Sequence, residues 1–196
     1  MKEFITFEGI DGSGKSTIIE QVYQQLREQK YAVVKTMEPT DTWIGKCVQT
    51  CIENQTDPFV TAFTFIADRI QHGKQIKKWL QQDKIVLCDR YAESTYAYQG
   101  AQLQNQIDQP IQYLQELSEN RIPIPDRTFM FLLDPKTAIQ RIQGRENLIA
   151  FERVAFLEKV QKNYEQLMIG SRFKKIDATA SVEEITSLCI KDILAD

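Results

Sequence analysis

Gly9-Ile10-Asp11-Gly12-Ser13-Gly14-Lys15-Ser16, continued by Thr17, is the stretch on which the reading of this chain turns. It fits G-x-x-x-x-G-K-[ST], it follows a short apolar run (Phe4–Glu8), and it opens a helical pattern over Lys15–Gln29. The chemistry needs these residue types. Glycines let successive backbone N–H groups turn inward around phosphate oxygens, and the helix that starts at Lys15 adds its positive N-terminal end. Gly9, Asp11, Gly12, Ser13, Gly14 and Thr17 would then form the cradle. Lys15 would reach the β- and γ-phosphates, and the Ser16 hydroxyl would serve Mg²⁺. The string therefore implies a nucleoside triphosphate without naming what receives its phosphoryl group.

Working outward, short apolar runs alternate with longer helical patterns. Strands are expected at Phe4–Glu8, Ala32–Met37, Lys84–Asp89, Thr128–Leu133 and Phe173–Asp177. Helices are expected at Lys15–Gln29, Trp43–Asn54, Pro58–Gln82, Ile111–Asn120, Pro135–Arg141, Ala150–Ile169 and Val182–Leu194. Such alternation describes β-α units around a mainly parallel sheet, an α/β fold. Pro58 after Asp57 suits a first helical turn, and Ile122-Pro123-Ile124-Pro125 reads as an extended connector. No repeat, linker or break in composition divides the 196 residues, so one domain over residues 1–196 is expected.

Composition narrows the partners. Hydrophobic residues are 42% and charged residues 26%, as in soluble globular proteins. The 24 Lys+Arg against 27 Asp+Glu leave a net charge of −3, which disfavours a nucleic-acid polymer as ligand. The start of the chain lacks the apolar core of a secretory signal and no run is long enough to span a membrane, so neither export nor a membrane partner is expected. Cys47, Cys51, Cys88 and Cys189 form no metal-binding pattern, read as buried or helix-face thiols, and suit a cytoplasmic protein. His72 reads as structural or exposed, and Trp43 and Trp79 read as packing residues.

The third apolar run ends in Asp89-Arg90-Tyr91. In a parallel sheet ligands gather beyond the carboxyl ends of the strands, so Asp89 and Arg90 can face the phosphates. There a carboxylate can hold Mg²⁺ or its waters and a guanidinium can grip a phosphate. No N-K-x-D segment is present to read guanine, and the chain is short for a motor or transporter ATPase. A small-molecule kinase fits better.

The string D-R-Y-x-x-S-x-x-A-Y-Q-G at Asp89–Gly100 resembles thymidylate kinases closely, and the resemblance covers most of the chain. Glu38-Pro39-Thr40, F-x-A-D-R at Phe65–Arg69, Pro125-Asp126 and D-P-x-x-A-x-x-R-I at Asp134–Ile142 match in order and spacing. Phe151–Tyr164 looks like the helix after the lid, particularly in archaeal members. The resemblance implies a three-layer P-loop kinase fold: a five-stranded parallel sheet of order 2-3-1-4-5, flanked by helices, with a short lid at about 142–152. It implies transfer of phosphate from ATP-Mg²⁺ to dTMP by a homodimer, and the Phe59–Ile66 segment is apolar enough to meet a second copy.

The same resemblance assigns roles to residues. Phe65 would stack on thymine and Arg69 would donate to its O4. Tyr98 would lie beneath the deoxyribose and crowd out a 2′-OH, and Gln99 would line the base pocket beside Ser94 and Glu38. Arg90 would hold the acceptor phosphate, Asp11 would accept from the sugar 3′-OH, and Asp89 would support Mg²⁺ with Ser16. Family members take transition-state arginines from the phosphate loop or from the lid. Gly12 occupies the loop position, so Arg145 is expected to act from the lid, with Arg141 and Thr179 near adenine. Ala150 and Met37 stand where many members have arginine, and Glu152 matches a lid carboxylate. The alternatives are a kinase for another monophosphate such as dUMP, or a non-catalytic NTP-binding module.

Overall fold

The computed structural model describes residues 1–142 and 147–195, with the side chains of 147–152 excepted. In chain order the elements are β1 (Glu3–Gly9), α1 (Lys15–Glu28), β2 (Val33–Met37), α2 (Trp43–Glu53), α3 (Pro58–Gln81), β3 (Ile85–Asp89) and α4 (Ala92–Leu103). They continue with α5 (Pro110–Ser118), β4 (Arg127–Leu132), α6 (Pro135–Ile142), α7 (Asn147–Leu167), β5 (Phe173–Asp177) and α8 (Val182–Ile193). The strands pair in the order β2-β3-β1-β4-β5, and every pairing is parallel.

This order follows from handedness. A crossover between parallel strands is right-handed, so the step from β1 out to β2 puts α1 on one face. The opposite steps, β2 to β3, β3 to β4 and β4 to β5, put α3, α4 and α7 on the other. The helix contacts agree: α8 packs on α1, while α4 packs on α3, α5 and α7. Three layers result, and β1 lies in the middle of the sheet. Phe4, Ile5 and Phe7 of β1 are fully buried with Val86, Leu87, Phe129 and Phe131.

Parallel pairing also fixes where the strands end. Phe7 is level with Asp89, Met37 with Asp89, Gly9 with Phe131, and Leu132 with Asp177. The loops after all five strands therefore open along one edge. Asp57 caps α3 by accepting from the Phe59 N–H at 2.8 Å, with Pro58 in the first turn as expected.

Two features depart from the sequence expectations. Helix α4 does not stand among the helices expected from periodicity. Its residues Ala92–Ala97, Gln99–Ala101 and Leu103 are all buried, so it shows no polar face. Trp43 is 76% exposed and not packed, because α2 turns Gly45 and Val48 inward and residue 43 lies on the far side. No described helix is long and apolar enough to cross a membrane.

Candidate active site

Two cavities share the carboxyl edge of the sheet. The smaller, about 310 Å³, is lined by Asp11, Gly12, Gly14, Lys15, Ser16 and Thr17 of the loop and by Met37, Glu38, Asp89 and Arg90. The larger, about 590 Å³, is lined by every residue expected to hold the acceptor: Asp11, Glu38, Phe65, Arg69, Arg90, Ser94, Tyr98 and Gln99. Asp11, Glu38 and Arg90 border both.

The loop's shape rests on glycine. Gly12 has φ +81°, and a Cβ there would lie 2.5 Å from the Ala138 carbonyl oxygen on α6. No arginine fits at position 12 in this conformation. Gly14 (φ +86°) then leads into α1, whose first residue is Lys15. The Lys15 ammonium folds back into the loop, donating to the Ile10 carbonyl at 2.9 Å and to Ser13 Oγ at 3.2 Å. Burial pushes it down to about 7, Arg90 adds repulsion, and Asp89 and Asp11 oppose both. A polyanion in the loop would favour its charged form.

Ser16 Oγ donates to Asp89 Oδ2 at 2.6 Å, so the two residues expected at Mg²⁺ touch each other. Among the described residues no cluster of three or more His, Cys, Asp or Glu is placed to hold an ion alone. Mg²⁺ usually takes one or two protein oxygens and draws the rest from phosphate and water, which this hydroxyl–carboxylate pair fits.

Arg90 connects the cavities. It has φ +65°, a left-handed conformation that costs a non-glycine residue about 1–3 kcal/mol and recurs at functional sites. Its guanidinium pairs with Asp11 Oδ1 and donates to Ser94 Oγ at 3.0 Å and the Gly9 carbonyl at 3.2 Å. It also lies over the Tyr98 ring, 5.3 Å from the centroid. The Tyr98 hydroxyl accepts from the Asp11 N–H at 3.0 Å. Arg90, Tyr98 and Asp11 are thus one assembly spanning the loop and α4.

Arg69 on α3 is 1% exposed. Its Nε donates to Glu38 Oε2 at 2.8 Å, and its Nη2 donates to Thr95 Oγ1 at 2.8 Å and the Tyr91 carbonyl at 3.0 Å. Nη1 is buried and has no hydrogen-bond partner among the described residues. A buried N–H without a partner is unfavourable unless a ligand meets it, and Arg69 lines the acceptor cavity.

On the far side, Arg141 Nη1 donates to the Ala178 carbonyl at 3.1 Å, next to Thr179, whose N–H and hydroxyl both bond Asp177 Oδ1. Arg141 is thus held one residue from Thr179, and neither residue lines either cavity. Arg145 lies outside the described residues, as do the side chains of Ala150 and Glu152.

Sequence reasoning passed over several groups. Glu8, at the end of β1, is fully buried. It accepts from the Tyr91 N–H at 2.7 Å, the Ser94 N–H at 3.3 Å and the Ser94 hydroxyl at 2.6 Å. It thereby caps α4 from another strand, since α4 has no cap from its own N-cap side chain. Burial, and then the charge of Glu93, push Glu8 up to about 7. Tyr164 on α7 closes the cluster through a 2.9 Å bond to Ser94 Oγ and a 3.3 Å bond to Glu8 Oε2. A lone acid inside an apolar strand, directly before the loop, was the available signal for Glu8. The end of α2, the turn after it and the start of α3 supply another wall of the acceptor cavity through Cys51, Ile52, Gln55, Thr56 and Pro58.

Sequence comparison places the chain among known proteins. The family model described as thymidylate kinase matches residues 7–188. A probable thymidylate kinase of Methanosarcina mazei is 37% identical over 196 residues, covering 98% of this chain and 95% of that protein. One from Methanosarcina barkeri is 38% identical, with 98% and 96% covered. A bacterial thymidylate kinase, from Finegoldia magna, is also 38% identical, with 96% of each covered. With residues 7–188 matched by the family model and nearly the full length shared with relatives at 37–38% identity, the chain belongs to the thymidylate kinase family.

Proposed function

We propose that this protein transfers the γ-phosphoryl group of ATP to dTMP, giving ADP and dTDP. The observation that carries the reading is the pair of cavities joined at Asp11, Glu38 and Arg90, one built for a triphosphate and the other for a nucleotide. Lys15 and the N-terminus of α1 bind the donor's phosphates, and Arg90 binds the acceptor's phosphate. Phe65 stacks on the base, Arg69 Nη1 donates to its O4, and Gln99 borders it. Tyr98 fills the space a 2′-hydroxyl needs, and Asp11 receives the 3′-hydroxyl. Ser16 and Asp89 would hold Mg²⁺, which when bound would supply charge neutralisation at the donor phosphates.

No side-chain nucleophile is needed, because the acceptor phosphate already carries negative oxygens. The protein's work is to align the two nucleotides and stabilise charge as the phosphoryl group moves. A further positive charge at the transition state is assigned to Arg145, which lies outside the described residues, and water, the competing acceptor, must be excluded during transfer. Arg141 and Thr179 flank the adenine. The test is product formation with a loop variant. Lys15→Ala is expected to lower turnover of ATP and dTMP by about 100-fold or more while leaving the circular dichroism spectrum unchanged. Near-normal turnover would contradict the reading.

The assembly we propose is a homodimer in the cytoplasm. Support for the dimer comes from α3, where Val60 and Phe63 are half exposed, and from α2, where Ile52 is as well. Light scattering after size exclusion is expected to give twice the 22.8 kDa chain mass. A mass of one chain at micromolar concentration would contradict the dimer.

A further inference from the structure

His72 is the chain's only histidine and is 6% exposed. Both of its ring nitrogens are engaged. Nε2 is 2.9 Å from Thr36 Oγ1 on β2, and Nδ1 is 2.9 Å from Glu38 Oε1 just beyond that strand. The other oxygen of Glu38 accepts from Arg69 Nε at 2.8 Å. A continuous line of buried polar contacts therefore runs from Thr36 through His72 and Glu38 to Arg69. It ends at Arg69 Nη1, the one nitrogen of that guanidinium without a hydrogen-bond partner among the described residues.

We propose that His72 is a positioning residue for acceptor recognition: by gripping Glu38, it fixes the plane in which Arg69 presents Nη1 to the base. One soft torsion in Glu38 makes this grip matter. The terminal carboxylate rotation of a glutamate is broad, so an acid held by one oxygen alone can swing. Glu38 is held by both, from two residues three apart on α3. A fork fixed at both tines transmits a defined direction to the guanidinium, whose other contacts all fall on Nη2. Without His72, Glu38 Oε1 loses its partner in a site that is 5% exposed, which favours rotation toward any other donor. Arg69 then keeps its charge and its Nη2 contacts while losing its aim. A histidine serving packing alone would not need both nitrogens matched, since the Trp79 ring beside it makes only an edge contact at 6.3 Å.

The inference rests on the proposed function, because it takes Arg69 Nη1 as the donor to the base. Kinetics on four variants separate the two. Arg69→Ala is expected to raise the dTMP KM by roughly 30-fold or more, with a smaller change in the ATP KM. His72→Leu is expected to raise the dTMP KM by roughly tenfold, with kcat and the ATP KM within about twofold of wild type. His72→Asn, whose amide nitrogen takes the place of Nδ1 and can still donate to Glu38, is expected to recover most of that loss. In the double variant His72→Leu with Arg69→Ala, the dTMP KM is expected to match that of Arg69→Ala alone. Preference for dTMP over dCMP is expected to fall in His72→Leu and to return in His72→Asn.

An unchanged dTMP KM in Arg69→Ala would overturn the base-pocket reading. If Arg69→Ala behaves as expected, three results would overturn the positioning role alone: an unchanged dTMP KM in His72→Leu, an equal rise in the ATP KM, or additive effects in the double variant. Should His72→Leu fail to fold, Thr36→Val removes only the outer contact. It is expected to raise the dTMP KM about two- to threefold with an unaltered ATP KM, and no change there would equally overturn the role.

Discussion

Glu8 concentrates the electrostatics of the site in one side chain. It is fully buried, caps α4 through Tyr91 and Ser94, and sits one residue before the loop that holds phosphate. Its carboxyl holds its proton up to about 7, whereas a glutamate in the unfolded chain ionises near 4.5. The folded chain thus binds more protons than the unfolded chain between those values. The contribution of Glu8 to stability is whole below pH 4.5 and declines as pH rises toward 7. Glu8→Gln cannot titrate. Chemical denaturation at pH 4.5, 6 and 7.5 is therefore expected to show the stability difference moving in the variant's favour, by on the order of 2 kcal/mol. A difference constant across that window would contradict this role for Glu8. Residues such as Lys15, Asp89 and Arg90 were legible in the sequence because each belongs to a contiguous string with a mechanical reason for its spacing. Glu8, His72 and Tyr164 were not, since their roles come from partners 34 to 156 positions away in the chain.

At the scale of elements, the least legible piece is the most central to the acceptor side. The string Asp89–Gly100 was readable as a motif, yet its helical form was not, because ten of the twelve α4 residues are buried and only Tyr98 and Gln102 reach toward solvent, leaving little alternation to detect. The strands were easier: short apolar runs bounded by polar turns, found within a residue or two of where they stand. Helix α7 is tied into the site by hydrogen bonds at the Tyr164 hydroxyl, which meets Ser94, Glu8 and the Gly9 carbonyl, while Phe156 packs against Tyr98 and Asn163 donates to the Ala97 carbonyl of α4. Tyr164→Phe removes that knot while keeping the ring against Tyr98. One buried hydrogen-bonding hydroxyl contributes about 1 kcal/mol, so Tm is expected to fall by about 2–4 °C. Because the Tyr164 hydroxyl holds Ser94, which in turn meets Arg90, kcat is expected to fall as well, and a variant with unchanged Tm and kcat would contradict the coupling of α7 to the site.

For the molecule as a whole, right-handed crossovers and a parallel sheet deliver the loops after β1, β2 and β3 to one edge, where two cavities meet. The net charge of −3 gives no hint of this, because the site needs only a few cations: Lys15 and Arg90 in the donor cavity, Arg69 and the same Arg90 in the acceptor cavity. The central claim is that the second cavity selects the deoxyribonucleotide of thymine. The most direct measurement is ADP release from ATP, followed by a coupled assay, with dTMP, dUMP, UMP, dCMP, AMP or no acceptor present. The expected result is rapid turnover with dTMP and kcat/KM lower by roughly tenfold or more with dUMP, which lacks one methyl group. Background rates are expected with the other three and with ATP alone. ADP release that is equal for AMP and dTMP, or independent of any acceptor, would contradict it.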